Sequence, residues 1–234
     1  MLEQIKNVIK LTTDIYLEKH LPRISEDKKQ IAINAYNKDI ERLANFVLKS
    51  LFLNDDSLLT ESFIKGLHKT FYPEEFNQKG IDKDGKEIIW MIPGEYKKIN
   101  NFAKTEDKSE YFRDIPGWTK EKEAYASPEN IEAEMQRIIK YFNNKLYSEK
   151  EVENKKDGIF LFILDFIYVH PFSDGNGRIA SILLDLLLLK IGLNQIGLKT
   201  IASRDKLSCD RSIFLSHEQR NPKYLYEFIQ KYSN

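Results

Sequence analysis

A polar, glycine-rich decapeptide, Val169-His170-Pro171-Phe172-Ser173-Asp174-Gly175-Asn176-Gly177-Arg178, interrupts two of the most apolar segments of the chain. Before it, Ile159 to Val169 is apolar nearly all round, as a helix surrounded by other helices is. After it, Ile179, Ile182, Leu183, Leu186, Leu187 and Leu189 outline a second helix of similar character. Two such helices must both be buried, so the polar loop between them sits at one end of a helical core. The first run contains Asp165 and has only half of the roughly 20 residues that cross a bilayer, which makes it a core helix.

The residue types of the loop point to phosphate chemistry. Gly175 and Gly177 let the backbone bend and come close to a ligand, and the N–H groups that open the following helix form an anion cradle. Arg178 adds a fork of donors suited to phosphate oxygens. Asp174, just before the cradle, is placed to hold magnesium, which takes few protein carboxylates and completes its shell with water and phosphate oxygens. His170 titrates near ~6.5 when unperturbed and so accepts a proton at neutral pH. Phe172 is expected to point into the core and anchor the loop. Proline, Asp-Gly and Asn-Gly are also ordinary turn chemistry, and a histidine can simply end a helix. Seven polar or special positions together exceed what a turn needs.

The rest of the chain reads as all-α. Apolar residues recur at three and four positions, predicting helices near 28 to 53, 60 to 71, 128 to 146, 158 to 169, 176 to 191 and 222 to 232. Ser127 is the N-cap candidate of the third, with Pro128 at its first position. Asp84-Gly85, between Gly80-Ile81 and Ile88-Ile89-Trp90, suggests a hairpin. A long irregular region from Asn77 to Ala126 is typical of a functional loop. Residues 1–55 are expected to form a helical extension packed on a domain spanning 56–234.

Composition limits the partners. With 36 basic and 36 acidic residues the formal charge is zero, so no global field recruits nucleic acid or an anionic membrane, and any phosphate is bound locally. The single cysteine, Cys209, rules out an internal disulfide framework and reads as a bystander. Met1 to Lys10 alternates charged and apolar residues without a signal peptide's apolar stretch. The expected location is the cytoplasm, with delivery into a host cell left open. Self-association is compatible with the composition.

The loop resembles the Fic family signature HxFx(D/E)GNGRxxR and matches it through Arg178. That resemblance implies a Fic-type helical bundle with a small β-hairpin flap that docks a target protein, and transfer of AMP from ATP with Mg2+ to a Ser, Thr or Tyr hydroxyl. It implies His170 as the catalytic base, Asp174 as the metal ligand, and Gly175, Asn176, Gly177 and Arg178 as the nucleotide-phosphate cradle. The resemblance extends to Leu67-His68, where His68 reads as a structural core residue, to Pro93-Gly94-Glu95-Tyr96, and to Tyr125-Ala126-Ser127-Pro128. It covers roughly residues 60 to 195, with the flap between Lys97 and Ala126.

The match departs at two places. The signature's second arginine falls at Ser181, and Lys97 stands where relatives often carry arginine. In many relatives the second arginine contacts the γ-phosphate and pairs with an inhibitory glutamate. The nearest inhibitory candidate, Ser57 to Ser62, reads instead as the start of the Leu67-His68 helix. Restoring arginine at 181 is expected to tighten ATP binding. The departure leaves transfer of phosphate, UMP or phosphocholine as alternatives. A catalytically silent binding module is disfavoured by retention of both His170 and Asp174. A nucleic-acid reader does not suit the zero charge, and one histidine with one carboxylate is too few for a hydrolase's transition-metal site.

Overall fold

In the computed structural model the described residues are 1–20, 26–53, 59–72, 78–81, 86–100, 112–115 and 125–233. In chain order they form α1 (Leu2–His20), α2 (Glu26–Val47, continuing into a π-helical turn Leu48–Phe52), α3 (Glu61–Phe71), β1 (Gln78–Ile81) and β2 (Glu87–Met91). A 3-10 turn (Pro128–Asn130) then leads into α4 (Ile131–Ser148), α5 (Val152–Val169), α6 (Asn176–Lys190), α7 (Leu198–Ala202), α8 (Lys206–Glu218) and α9 (Lys223–Tyr232).

The two apolar runs are the central helices. In α5 every residue from Gly158 to Phe166 is buried, and in α6 every residue from Ile179 to Leu188 is. Each fully buried Leu, Ile or Phe contributes about 1.5–3 kcal/mol relative to exposure, so this pair forms the centre of the apolar core. Around it, α4 and α8 pack on α5, and α1 packs on α2, α6 and α7. Ile5, Val8 and Ile9 of α1 belong to the same apolar cluster as Ile182 and Leu186.

Three helices lie outside the expected ranges, for readable reasons. The inward face of α1 is Ile5, Val8, Ile9, Thr12 and Thr13, a proper helical spacing whose last two members are threonines, so the apolar stripe looks broken. Helix α8 buries only Cys209, Phe214 and Ser216, too little for a periodic signal, although Asp205 caps it by accepting from Ser208 N–H at 3.0 Å. Helix α7 is a five-residue piece. Helix α5 starts at Val152 rather than near 158, because its first turns are polar and outside the core. Ser127 precedes the 3-10 turn, but its hydroxyl takes the Asn130 side-chain amide at 3.0 Å instead of capping a backbone N–H.

Strands β1 and β2 pair antiparallel, with Gly80 opposite Ile88 and Ile81 opposite Glu87, as the flanks of Asp84-Gly85 suggest; the turn itself lies outside the described residues. This pairing precedes Pro93-Gly94-Glu95-Tyr96. In 97–126, where the flap is expected, only 97–100, 112–115 and 125–126 are described, and those residues contain no strand. Among the described residues, no helix is long and apolar enough to cross a membrane.

Candidate active site

The decapeptide joins the C-terminus of α5 to the N-terminus of α6, and its shape is set by three side chains. Phe172 is fully buried and stacks on His68 with ring centroids 3.9 Å apart. Asn176, at the first position of α6, accepts from Phe172 N–H at 2.9 Å and donates to Phe172 C=O at 2.7 Å. Its side chain is thus fully engaged in closing the loop, and its backbone N–H is what it offers a ligand. Gly175 caps α6 at φ 81°, and a Cβ there would lie 2.7 Å from the Tyr72 ring and hydroxyl. Only glycine fits both the left-handed backbone and that approach.

His68, on α3, bridges two segments far apart in sequence. Its Nδ1 accepts from Gly94 N–H at 2.9 Å, so its Nε2 carries the proton and donates to Asp174 C=O at 3.2 Å. Burial holds its pKa down to about 4. His68 is a structural link between the Pro93–Tyr96 turn and the loop. Ser173 Oγ adds a second link, donating to Trp90 C=O of β2 at 2.6 Å.

His170 ends α5 in the left-handed region at φ 50°, which turns its ring out of the helix row. Its Nδ1 lies 3.3 Å from Ile167 C=O. A carbonyl only accepts, so Nδ1 carries the proton in the neutral ring and Nε2 keeps its lone pair. Tyr125 stacks on the imidazole at 3.7 Å with the planes 11° apart. The His170 pKa is lowered to about 4, chiefly by burial, with the Lys97 charge acting in the same direction and the Ile167 hydrogen bond and Asp174 opposing. Lys97 is itself 3 % exposed, is tied to Pro171 C=O through its backbone N–H at 2.8 Å, and has a pKa lowered by burial to about 8.

Asp174 and Arg178 form an i,i+4 ion pair at 2.9 Å, with the Asp174 side chain 45 % exposed and open to the loop's outer side. The same carboxylate oxygen takes the Tyr72 hydroxyl at 3.4 Å. The Arg178 guanidinium sits over Tyr72 and Phe71, 5.0 and 5.5 Å from their ring centroids. Gly177 differs from Gly175: it is exposed, helical, and a Cβ there would meet only Lys199 Nζ, at 3.9 Å. Among the described residues nothing requires a glycine at 177, whereas a ligand lying over the start of α6 would. The half-exposed carboxylate, the helix-opening N–H groups and this bare position fit magnesium and a polyphosphate.

Ser181 is 1 % exposed, with its hydroxyl taking Thr12 Oγ1 at 3.1 Å and Lys199 N–H at 3.0 Å. It faces the junction of α1, α6 and α7 rather than the loop. An arginine there would be overpacked and its charge buried. Thr60 is the N-cap of α3, accepting from Phe63 N–H at 3.0 Å, with Glu61 in the first turn; this part of the candidate inhibitory segment is the start of α3.

A family model described as Fic/DOC family matches residues 58–188, more than half of the chain. The chain belongs to the Fic/DOC family. Among curated proteins, 72 residues are 40% identical to a ribonucleoside-diphosphate reductase small chain of Ostreid herpesvirus 1, covering 29% of this chain and 12% of that protein. A further 62-residue match, 37% identical, is to a probable protein adenylyltransferase of Aquifex aeolicus and covers 26% of this chain and 19% of that protein. The chain therefore spans less than a fifth of either curated relative. Among solved structures, a Fic domain-containing signaling protein from Bacteroides thetaiotaomicron superposes with a TM-score of 0.55 at 22% identity, over 82% of this chain and 65% of that one. At that identity the likeness speaks for the Fic fold alone. The two curated relatives carry different activities, so function in this Fic chain has to be argued from the site.

Three contributors escaped the sequence reading. Tyr72 lies against Gly175 and beneath Arg178; Tyr125 stacks on His170; Lys97 is buried beside that pair. The motif fragments around Tyr96-Lys97 and Tyr125 were visible, but a tyrosine or lysine on its own has no periodic signal. Cys209 is buried, with its thiol pushed up to about 12 by burial, as suits a bystander.

Proposed function

We propose that this Fic chain transfers AMP from ATP to a Ser, Thr or Tyr hydroxyl of a protein. The carrying observation is His170: Ile167 C=O holds the Nδ1 proton, leaving Nε2 as a proton acceptor at the mouth of the loop that also bears the N-terminus of α6. The acceptor hydroxyl oxygen attacks the α-phosphorus, its proton passes to His170 Nε2, and the bond to the bridging oxygen breaks to release pyrophosphate. The low pKa keeps the imidazole neutral, and Tyr125 keeps its plane fixed. The N–H groups of Asn176 and Gly177, with Arg178, bind phosphate oxygens and stabilise charge developing on them. Magnesium held by Asp174 would offset the charge of the phosphates. Residues 1–55 serve as a helical extension whose α1 closes the core behind α6.

Position 181 favours a second reading, in which the transferred group is phosphate, UMP or phosphocholine from another donor, because the side chain there does not reach the loop. Incubation with magnesium and ATP labelled at the α- or the γ-phosphate separates the two. AMP transfer retains the α label in protein and phosphate transfer the γ label. The His170→Ala form is expected to lose labelling while keeping its thermal melt. Labelling undiminished in that variant, or γ label alone, overturns the proposal.

A further inference from the structure

Lys97 and Tyr125 are distant in sequence and meet at one side chain, the imidazole of His170. Tyr125 stacks on that imidazole with ring centroids 3.7 Å apart. The Lys97 Nζ lies 5.5 Å from the centroid of the same tyrosine ring, within the range of cation–π attraction. The backbone that carries the lysine is fixed from two directions. Gly94 N–H donates to His68 Nδ1 at 2.9 Å, and Lys97 N–H donates to the carbonyl of Pro171, the residue after His170, at 2.8 Å. Between them the Tyr96 ring packs on Phe172, with centroids 5.6 Å apart.

A buried lysine is costly, and an apolar side chain of similar length would fill the same space at less cost. What the ammonium adds is its charge. A tyrosine ring attracts a cation to its face, and an ammonium over Tyr125 repels an imidazolium stacked on that ring while leaving a neutral imidazole undisturbed. Among the described residues, the groups acting on His170 are Lys97, whose charge disfavours the imidazolium as burial does, and the Ile167 carbonyl and Asp174 carboxylate, which favour it. Burial leaves Lys97 with a pKa of about 8, so it remains an ammonium throughout the acidic range in which an imidazole titrates.

We propose that Lys97 is a positioning residue for the base: its ammonium, seated over Tyr125, keeps the stacked imidazole of His170 unprotonated and so sets the acid edge of the reaction. The inference rests on the nucleotide-transfer reading above, because only a reaction that uses Nε2 as a proton acceptor gains from it.

NMR titration of the imidazole signals of the full chain from neutral to acidic pH, without nucleotide, tests it in the wild type, Lys97→Met and Lys97→Arg. The His170 signal is identified by its loss in His170→Ala. In Lys97→Met, which keeps the length of the side chain without its charge, half-titration of His170 should rise by on the order of one pH unit. Lys97→Arg should leave it at the wild-type value. An unmoved or lowered value in Lys97→Met overturns the role of Lys97, and so does an equal rise in Lys97→Arg, which would assign the effect to packing. A wild-type His170 that titrates near ~6.5 overturns it with no variant needed. Labelling from α-labelled ATP across the same pH range should show its acid limb moving up in Lys97→Met together with the NMR value; a limb that stays in place removes the link to the reaction. A wild-type chain that labels nothing while the NMR shift is present sinks the transfer reading and leaves the hold of Lys97 on the imidazole standing.

Discussion

Replacing Gly177 by alanine should make the protein more stable and less able to bind its donor. Gly177 is the second residue of α6, its backbone is helical, and the added methyl would find only Lys199 Nζ nearby, at 3.9 Å. Alanine at a compatible glycine stabilises by about 0.4–1 kcal/mol, chiefly by restricting the unfolded chain. For a chain of this size that corresponds to a melting temperature raised by roughly 1–4 °C. In the proposed cradle the same methyl would occupy the space through which a phosphate oxygen approaches the first N–H groups of α6. Losing one such charged hydrogen bond costs about 1.5–3 kcal/mol, or at least tenfold in affinity. Gly175→Ala is the contrasting case: the left-handed backbone costs about 1–2 kcal/mol, and the clash with Tyr72 at 2.7 Å adds to it, so that variant should melt earlier. Thermal melts and calorimetric ATP titrations on both proteins read out the contrast. Undiminished ATP affinity in a folded Gly177→Ala protein would refute the cradle, and a lowered melting temperature would refute the reading of Gly177 as sterically free.

Acid should loosen the loop before it loosens the rest of the core. His68 and His170 are both held near a pKa of about 4 by burial, against 6.5 when unfolded, so between those values the unfolded chain binds more protons and stability falls as pH falls. The loss is fully developed below pH 4 and is on the order of 3 kcal/mol per histidine; urea melts from pH 7.5 to 4.5 measure it, and a flat profile counts against the two shifts. Asn176→Ala leaves Phe172 N–H and C=O without their partners in a buried spot, at a cost of about 1–3 kcal/mol for each group left unpaired. Thermal denaturation should register that loss even without nucleotide; an unchanged melt shows that the clamp is dispensable.

Much of the centre was legible because its signals are local. The unbroken apolar runs demanded two buried helices, the segments flanking Asp84-Gly85 pair as strands, and Thr60 and Pro128 lie where helical structure begins. Each signal lies within a few residues of the structure it specifies. The threonines in the inward face of α1 and the small buried set of α8 broke the periodicity on which such reading depends. The surroundings of Ser181 were hidden for a related reason: a family pattern fixes a position along the chain, not the neighbours that crowd it.

By itself the amino-acid sequence determined that a polar, glycine-containing loop with one histidine and one acidic residue ends two buried helices, since residue type and short-range spacing suffice for that. Tertiary structure alone decided which groups surround the loop. Thr12 meets Ser181 across 169 positions, His68 reaches Asp174 across 106, and Tyr125 stacks on His170 only because the intervening chain returns to the end of α5. Such contacts arise from the packing of whole helices, and packing is a property of surfaces brought together rather than of neighbours along the chain.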